Sequence, residues 1–438
     1  MSIVGIELRR SAAVGAALLA FAVGTVALYA DTGRWAGGWI PMALTLREYT
    51  LLLWPLALAA GAWQGRREHR AKVGELFVTT PRSRAGRMRP VLIAMAATIV
   101  LAHLLVNVAA GVWIAGTAHY FPLAGFTVIT VVGTLSLVAA AWLGLGLGRL
   151  WPALVTAPAL GVAGVLVIFY GAIMKPRWAG AALSPVFGSG GFFRYQTIDS
   201  RVSAALAITM TGLAVTGLLL LVAGRPGLRA AAVLPVVVAA GLAFTIVPRD
   251  EATLLGPSDQ RARELVCTDD APKVCVTRID QNVLPALTPL ARQGLAALAK
   301  VPGGPTAVHE ENYEFGRWDE IPRDNSVVTV SVGIDDHGGL ANPDSVVHGV
   351  VSGLGVVYQE DCERDGAVER AAAYYLMGRR PVSDVGVVPG VIEESPEITT
   401  EAVKLWERLQ ALPSSEALTR VAAVRQALVD CKSPVGLL

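Results

Sequence analysis

The segment LAGFTVITVVGTLSLVAAAWLGLGLG runs from Leu123 to Gly148 without one ionisable side chain. A helix needs about 20 predominantly apolar residues to cross a bilayer, so this stretch predicts a transmembrane span. Its Gly144, Gly146 and Gly148, with Gly161 and Gly164 further on, predict close helix approach, as small residues permit in membrane bundles. Outward from it, similar runs occupy Ser11–Ala30, Leu46–Trp63, Val91–Ala115, Pro152–Met174, Val202–Val222 and Ala230–Val247. Leu46–Trp63 is irregular, with Arg47 and Glu48 at its outer end, and Ala230–Val247 is short and carries Pro235. The expected fold is a membrane all-α helical bundle of six to seven transmembrane helices, residues 1–248, followed by a soluble α+β domain, residues 249–438.

Composition supports that division. Of the 438 residues 53% are hydrophobic and 16% charged, against about 25% charged in soluble domains, and the mean hydropathy is +0.51. Residues 1–248 carry net +13 and residues 249–438 net −11, which cancel to the +2 of the whole chain. The basic half is apolar and poor in aromatic residues, which argues against a nucleic-acid partner.

Lys and Arg in short connections orient the bundle. With the N-terminus inside, the inner connections hold Arg9, Arg10, the run from Arg66 to Arg89, Arg149, Arg225 and Arg229, while the outer ones hold Arg34, Lys175, Arg177, Arg194 and Arg201. An odd number of spans then places the tail outside the plasma membrane. Cys267, Cys275, Cys362 and Cys431 all lie in that tail, and disulfides persist in oxidising compartments. The favoured pairs are Cys267 with Cys275 and Cys362 with Cys431; zinc ligation is the competing use, without a C-x2-C pair to support it. The first apolar run is too long for a cleavable signal peptide and has no small-residue cleavage site after it.

Carboxylates, lysines and arginines at membrane depth mark ion relays, and none stands well inside these spans. His103 is the one ionisable group there, with Asn107 one turn on along the same helical face. The two read as pathway residues or as an interhelical hydrogen-bonded pair. The outer connection 175–201 clusters Trp178, Phe187, Phe192, Phe193 and Tyr195: an interfacial aromatic belt, or a lateral gate in which Phe192 and Phe193 join the pathway.

The inner connection RREHRAKVGELFVTTPRSR, Arg66 to Arg84, is patterned beyond its charge. Glu75, Leu76 and Phe77 begin a short amphipathic stretch that Thr80-Pro81 closes, with basic residues on both sides. A basic juxtamembrane loop drawn to anionic membrane lipid is the simplest reading. The segment also resembles the coupling-helix region of ABC-2 type exporter permeases: an acidic residue, a basic patch, Gly-x-x-Glu-Leu, then Pro-x-Ser-Arg, with Glu68, Gly74, Glu75, Leu76, Pro81, Ser83 and Arg84 in those places. Ile6-Glu7-Leu8-Arg9-Arg10 is similar to the family's interfacial N-terminal helix. The likeness covers residues 1 to about 223; the seventh span and the exported domain depart from the family's six-span plan. It implies that Glu75, Leu76 and Phe77 contact a separate ATPase subunit, that Pro81 ends the coupling helix, and that the chain dimerises with itself or a related permease. No G-x-x-x-x-G-K-[ST] phosphate loop is present, so ATP and Mg belong to the partner and this chain binds no cofactor.

The tail predicts a strand at Val327–Ile334, a hairpin at Cys267–Cys275, and helices at Ala286–Ala299, Ser345–Tyr358, Ala367–Met377, Thr400–Ala411 and Ser415–Val429. His309-Glu310-Glu311 and His348 form neither H-E-x-x-H nor a partner set for G-x-S-x-G; a metal peptidase joining His309, His348 and Glu360 is the weakest alternative, and His337 reads as a turn residue. The sequence therefore reads as the transmembrane subunit of an ATP-driven exporter, not itself an enzyme, whose exported domain serves recognition, gating or assembly. The alternative is a membrane-anchored sensor or assembly factor whose exported domain binds an envelope ligand.

Overall fold

Glycines four residues apart bring two helices of this chain into backbone contact. In the computed structural model, which describes residues 13–70, 83–186, 195–250, 254, 256, 258–313, 324–357, 362–382 and 396–438, the chain divides into two compact units, Met1–Asp259 and Gln260–Leu438.

The first unit is helical: α1 (Ala13–Tyr29), α2 (Trp39–Glu48), α3 (Thr50–Gly65), α4 (Arg84–Ile114), α5 (Leu123–Leu150), α6 (Thr156–Ile173), α7 (Arg177–Leu183), α8 (Ser200–Val222), α9 (Pro226–Ala231) and α10 (Leu234–Ile246). α5 sits between α3 and α8. A Cβ placed on Gly61 or Gly65 of α3 would lie 2.1 or 2.3 Å from the carbonyl oxygens of Ala141 or Leu145, and one on Gly144 or Gly148 of α5 would lie 2.1 Å from those of Leu58 or Ala62. On the other side of α5, a Cβ on Gly146 would lie 2.5 Å from the Gly217 oxygen of α8, and one on Gly217 would lie 2.4 Å from the Leu143 nitrogen. Positions 144 and 148 share one helical face and 146 lies on the other, so three glycines serve two interfaces.

Among the described residues five helices are long and apolar enough to cross a membrane: Arg84–Ile114, Leu123–Leu150, Thr156–Ile173, Ser200–Val222 and the α9–α10 pair, Pro226–Ile246. The chain is a membrane protein. This is fewer than the six to seven spans expected from hydropathy. The Ser11–Ala30 run appears as the 17-residue α1, described from Ala13. The Leu46–Trp63 run is divided at Tyr49 into α2 and the 16-residue α3; there the Thr50 hydroxyl donates to the Arg47 carbonyl at 2.6 Å. Pro235 stands in the first turn of α10, where its missing N–H leaves no bond unmade. α6 and α10 turn Val162, Leu166, Phe169, Ile173, Val237, Val238 and Leu242 outward, the apolar surface expected of helices that face hydrocarbon.

The second unit is α+β. Strands β1 (Leu265–Cys267), β2 (Lys273–Thr277), β3 (Ala307–Glu310) and β4 (Val327–Val330) form one sheet in that order. β1 and β2 are the expected hairpin, and β2, β3 and β4 run parallel. Helices α11 (Leu284–Leu298), α12 (Pro343–Val351), α13 (Gly366–Met377), α14 (Pro396–Ala411) and α15 (Ser414–Val429) complete it. A parallel pair needs a crossover, and α11 supplies it between β2 and β3, burying Leu287, Ala291, Leu295 and Leu298 against Val274, Val276 and Val308. α12 stops short of the expected Tyr358 because Gly353 and Leu354 take left-handed φ values of 59° and 53°. Asp365 caps α13 by accepting from the N–H groups of Ala367 and Val368, and Gly378 ends it at φ 68°. Cys267 pairs with Cys275, its register partner across β1 and β2, and Cys362 pairs with Cys431.

Two outcomes follow. Gly144→Val drives a side chain into the α3 backbone and is expected to destabilise the first unit by at least about 3 kcal/mol. Gly241→Ala, on α10 with nothing within 4 Å of its Cβ position, is expected to be neutral or stabilising by up to about 1 kcal/mol; thermal unfolding in detergent compares them. For the disulfides, sequence separations of 69 and 8 residues give chain-entropy losses of about 4 kcal/mol for Cys362→Ala with Cys431→Ala and about 2.5 kcal/mol for Cys267→Ala with Cys275→Ala, measured by denaturant unfolding of the full chain.

Candidate functional site

One end of the helical unit gathers nine of its described arginines. α3 ends, and α4 begins, at this end; so do the C-termini of α5 and α8 and the N-termini of α6 and α9. Arg66, Arg67, Arg70, Arg84, Arg87, Arg89, Arg149, Arg225 and Arg229 lie here. The connection 66–84 is fastened on both sides. Arg66 donates to the Leu154 carbonyl at 3.4 Å, and the guanidinium groups of Arg66 and Arg70 stand 5.3 and 5.5 Å from the Trp63 ring. Ser83 caps α4 by accepting from the Gly86 N–H at 3.2 Å, and a Cβ placed on Gly224, just past α8, would lie 3.4 Å from an Arg84 guanidinium nitrogen. Glu68 lies in the single turn Arg67–Arg70. Gly74, Glu75, Leu76, Phe77 and Pro81 lie outside the described residues, as do Phe192, Phe193 and Glu360.

The second feature is a cleft within the apolar depth of the bundle. Ala16, Leu19 and Ala20 of α1, Leu53, Leu56, Ala57 and Ala60 of α3, Ile99, Ala102, His103 and Val106 of α4, and Leu137 of α5 line it, around a cavity of about 40 Å³. Its wall is apolar except at His103, which is 4% exposed and whose Nδ1 has no hydrogen-bond partner. Asn107 does not bridge to another helix. Its amide donates back to the His103 carbonyl at 2.9 Å, and its Oδ1 is unpartnered. The interhelical pairing expected from sequence is corrected to a bond within α4, because the Asn side chain one turn on reaches the carbonyl of residue i−4.

Arg47, at the outer edge of the Leu46–Trp63 run, is 2% exposed. Its Nε donates to the Pro185 carbonyl at 2.9 Å, while both terminal guanidinium nitrogens are buried without a partner. Its helix, α2, also buries Ile40, Met42, Ala43, Leu44 and Leu46.

In the second unit His309 lies on β3 opposite Cys275 and Thr329, whereas His348 on α12 packs against Tyr374 with ring centroids 5.3 Å apart. Among the described residues no group of three or more His, Cys, Asp or Glu side chains is placed to hold a metal. Glu310, one residue on from His309, is buried and accepts from the Thr277 N–H at 2.7 Å and hydroxyl at 3.0 Å, tying the ends of β2 and β3. His337 sits in a turn in which Asp335 accepts from the N–H groups of His337 and Gly339, the role read from sequence.

Burial holds the His309 imidazole below its ordinary pKa, opposed by the nearby Asp324 carboxylate. A depressed value means that the unfolded chain binds the proton more readily, so the contribution is complete above about pH 6.5 and lost as pH falls through the folded value. Acid unfolding of the second unit, followed by circular dichroism on the full chain, is expected to begin at lower pH in His309→Gln.

Comparison with protein-family models, curated proteins and solved structures finds no match to this chain.

Proposed function

We propose that this chain is the transmembrane subunit of an ATP-driven ABC exporter, coupled through residues 64–90 to a separate ATPase that holds the ATP and Mg. The observation that carries this reading is the attachment of that connection. It joins α3 and α4, it bears the Gly74-Glu75-Leu76 and Pro81-x-Ser83-Arg84 pattern, and on its α3 side Arg66 donates to the Leu154 carbonyl just before α6. Force applied there reaches α3 directly, and α3 lies backbone to backbone on α5.

The basic end is read as cytoplasmic, since Lys and Arg concentrate in inner connections. From it α4, α5, α6, α8 and the α9–α10 pair make five crossings, so the second unit lies outside whether or not α1 and α3 also cross. We take both to cross, for seven spans in the plasma membrane: at about 1.5 Å per residue they reach about 24–26 Å, at and just below the short end of the spanning range of about 17–25 residues. Two disulfides in the second unit accord with an oxidising side. A pathway would be completed by dimerisation with a second copy or a related permease, and the exported domain would serve recognition, gating or assembly.

The experiment is purification of the full chain in mild detergent from its host, with mass spectrometry of what is retained, for wild type and for Glu75→Arg with Leu76→Asp. Recovery of a P-loop ATPase with wild type and its loss from the double variant, which still inserts, is the expected result. ATPase retained undiminished by the variant overturns the coupling assignment, and recovery of a kinase or regulator in its place favours the sensor reading.

A further inference from the structure

The two cysteines of the β1–β2 disulfide have unequal surroundings. Cys267 and Cys275 are register partners, yet Cys275 is 1% exposed and Cys267 is exposed. Among the described residues β1 is the first strand of the sheet and pairs on one side only. The Thr268 N–H donates to the Val274 carbonyl at 3.0 Å and the Arg278 N–H to the Glu264 carbonyl at 2.9 Å. Val266 and Val276 are thus the bonded pair of this ladder, and Leu265 and Cys267 point their N–H and C=O groups away from β2. An open edge of this kind pairs with an extended chain, and here it coincides with the residue that bears the exposed sulfur. On the sheet face toward α11 lie Val274, Val276 and Val308, so Cys275 and His309, which alternate with them, share the opposite face. There Cys267, Cys275, His309 and Thr329 form one row across the four strands, with about 4.8 Å between neighbouring strands. His309 stands beside the buried cysteine, and an imidazole offers an N–H donor in either tautomer.

We infer that Cys267 Sγ captures the cysteine of an extended polypeptide laid along the free edge of β1, with Cys275 as the leaving sulfur beside His309. The peptide thiolate attacks Cys267 Sγ, which exposure makes the sulfur an entering thiolate reaches. A new S–S bond forms, the Cys267–Cys275 bond breaks, and its electron pair leaves on Cys275 Sγ, to which the His309 N–H donates. The peptide thiol gives its proton to water and Cys275 takes one back, so the peptide thiol is the only co-reactant. Return attack by Cys275 on Cys267 Sγ releases the peptide and restores the disulfide. The site goes beyond the exporter reading and does not rest on it: it needs no ATPase, and its test contains none.

The test uses the full chain in detergent without oxygen and two synthetic peptides. One is a short alternating threonine and valine peptide with a single central cysteine; the other has the same sequence with methylated backbone nitrogens, which cannot donate to a strand edge. Free thiols are alkylated at intervals and the products mapped by mass spectrometry. The expected product carries the unmethylated peptide on Cys267 and an alkyl group on Cys275, and forms about tenfold faster than with the methylated peptide. Peptide found on Cys275, or on Cys362 or Cys431 at the same rate, overturns the assignment. Equal capture of both peptides overturns it too, because the β1 edge would then play no part. His309→Leu is expected to slow capture about tenfold, and His309→Gln, which keeps an N–H donor, to recover most of the rate; no slowing, or equal slowing by both, overturns the part given to His309. Unchanged resistance of the Cys362–Cys431 disulfide checks that each variant is folded, and product mapping on the wild type tests the capture without any variant.

Discussion

Backbone contact between α3 and α5 governs the membrane unit. Lipid tails are as apolar as leucine, so helices in a bilayer gain nothing from hiding apolar surface from one another; association depends on close packing and on interhelical hydrogen bonds. Gly61, Gly65, Gly144 and Gly148 permit an approach that a methyl group would forbid, and Gly146 with Gly217 repeats the device on the other side of α5. α5 is thereby held on two faces, and Ala139, Ala140 and Ala141 are wholly buried within it. The position of α3 against α5 then sets where Arg66 meets the α5–α6 corner, and so where the patterned connection is anchored.

The same close packing creates the cleft. α3 presents its Gly61 and Gly65 ridge to α5 and an adjacent face, Leu53, Leu56, Ala57 and Ala60, to α1 and α4. Where α3 meets α5, small residues let backbones touch; where it meets α1 and α4, its leucines and alanines leave a small cavity. α1 is held elsewhere, through Gly24 against Val106 and through the Tyr29 hydroxyl on the Ala109 carbonyl at 2.8 Å. An apolar cavity bordered by one unsatisfied imidazole is costly to keep in a core that gains stability from contact.

The second unit rests on different physics. It has a valine- and alanine-rich core under a four-stranded sheet, and burial of that apolar surface drives its folding. The disulfides close the β1–β2 hairpin and fasten the end of α15 to the segment before α13. Glu310 joins two parallel strands through Thr277 and belongs to the architecture of the sheet.

The apolar spans, the boundary between a basic membrane half and an acidic tail, the hairpin at Cys267–Cys275 and the helices α11, α13, α14 and α15 were legible in the amino-acid sequence, because hydropathy, turn chemistry and helical periodicity are properties of neighbours along the chain. The short strands β3 and β4 show how far that reading extends: Val327–Val330 is visible as an apolar β-branched run, whereas Ala307–Glu310 is too short and too polar to announce itself. The break at Tyr49 and the stop of α12 at Gly353 and Leu354 escaped it, since a hydropathy window is blind to backbone angles. Glycines at 144, 146 and 148 promised close approach, but their division between α3 and α8 depends on segments some eighty residues away on each side. Burial of Arg47, the turn of Asn107 back onto its own helix and the gathering of cleft residues from α1, α3, α4 and α5 were likewise decided by tertiary structure alone, because which face a helix turns to which partner is a property of the packed bundle.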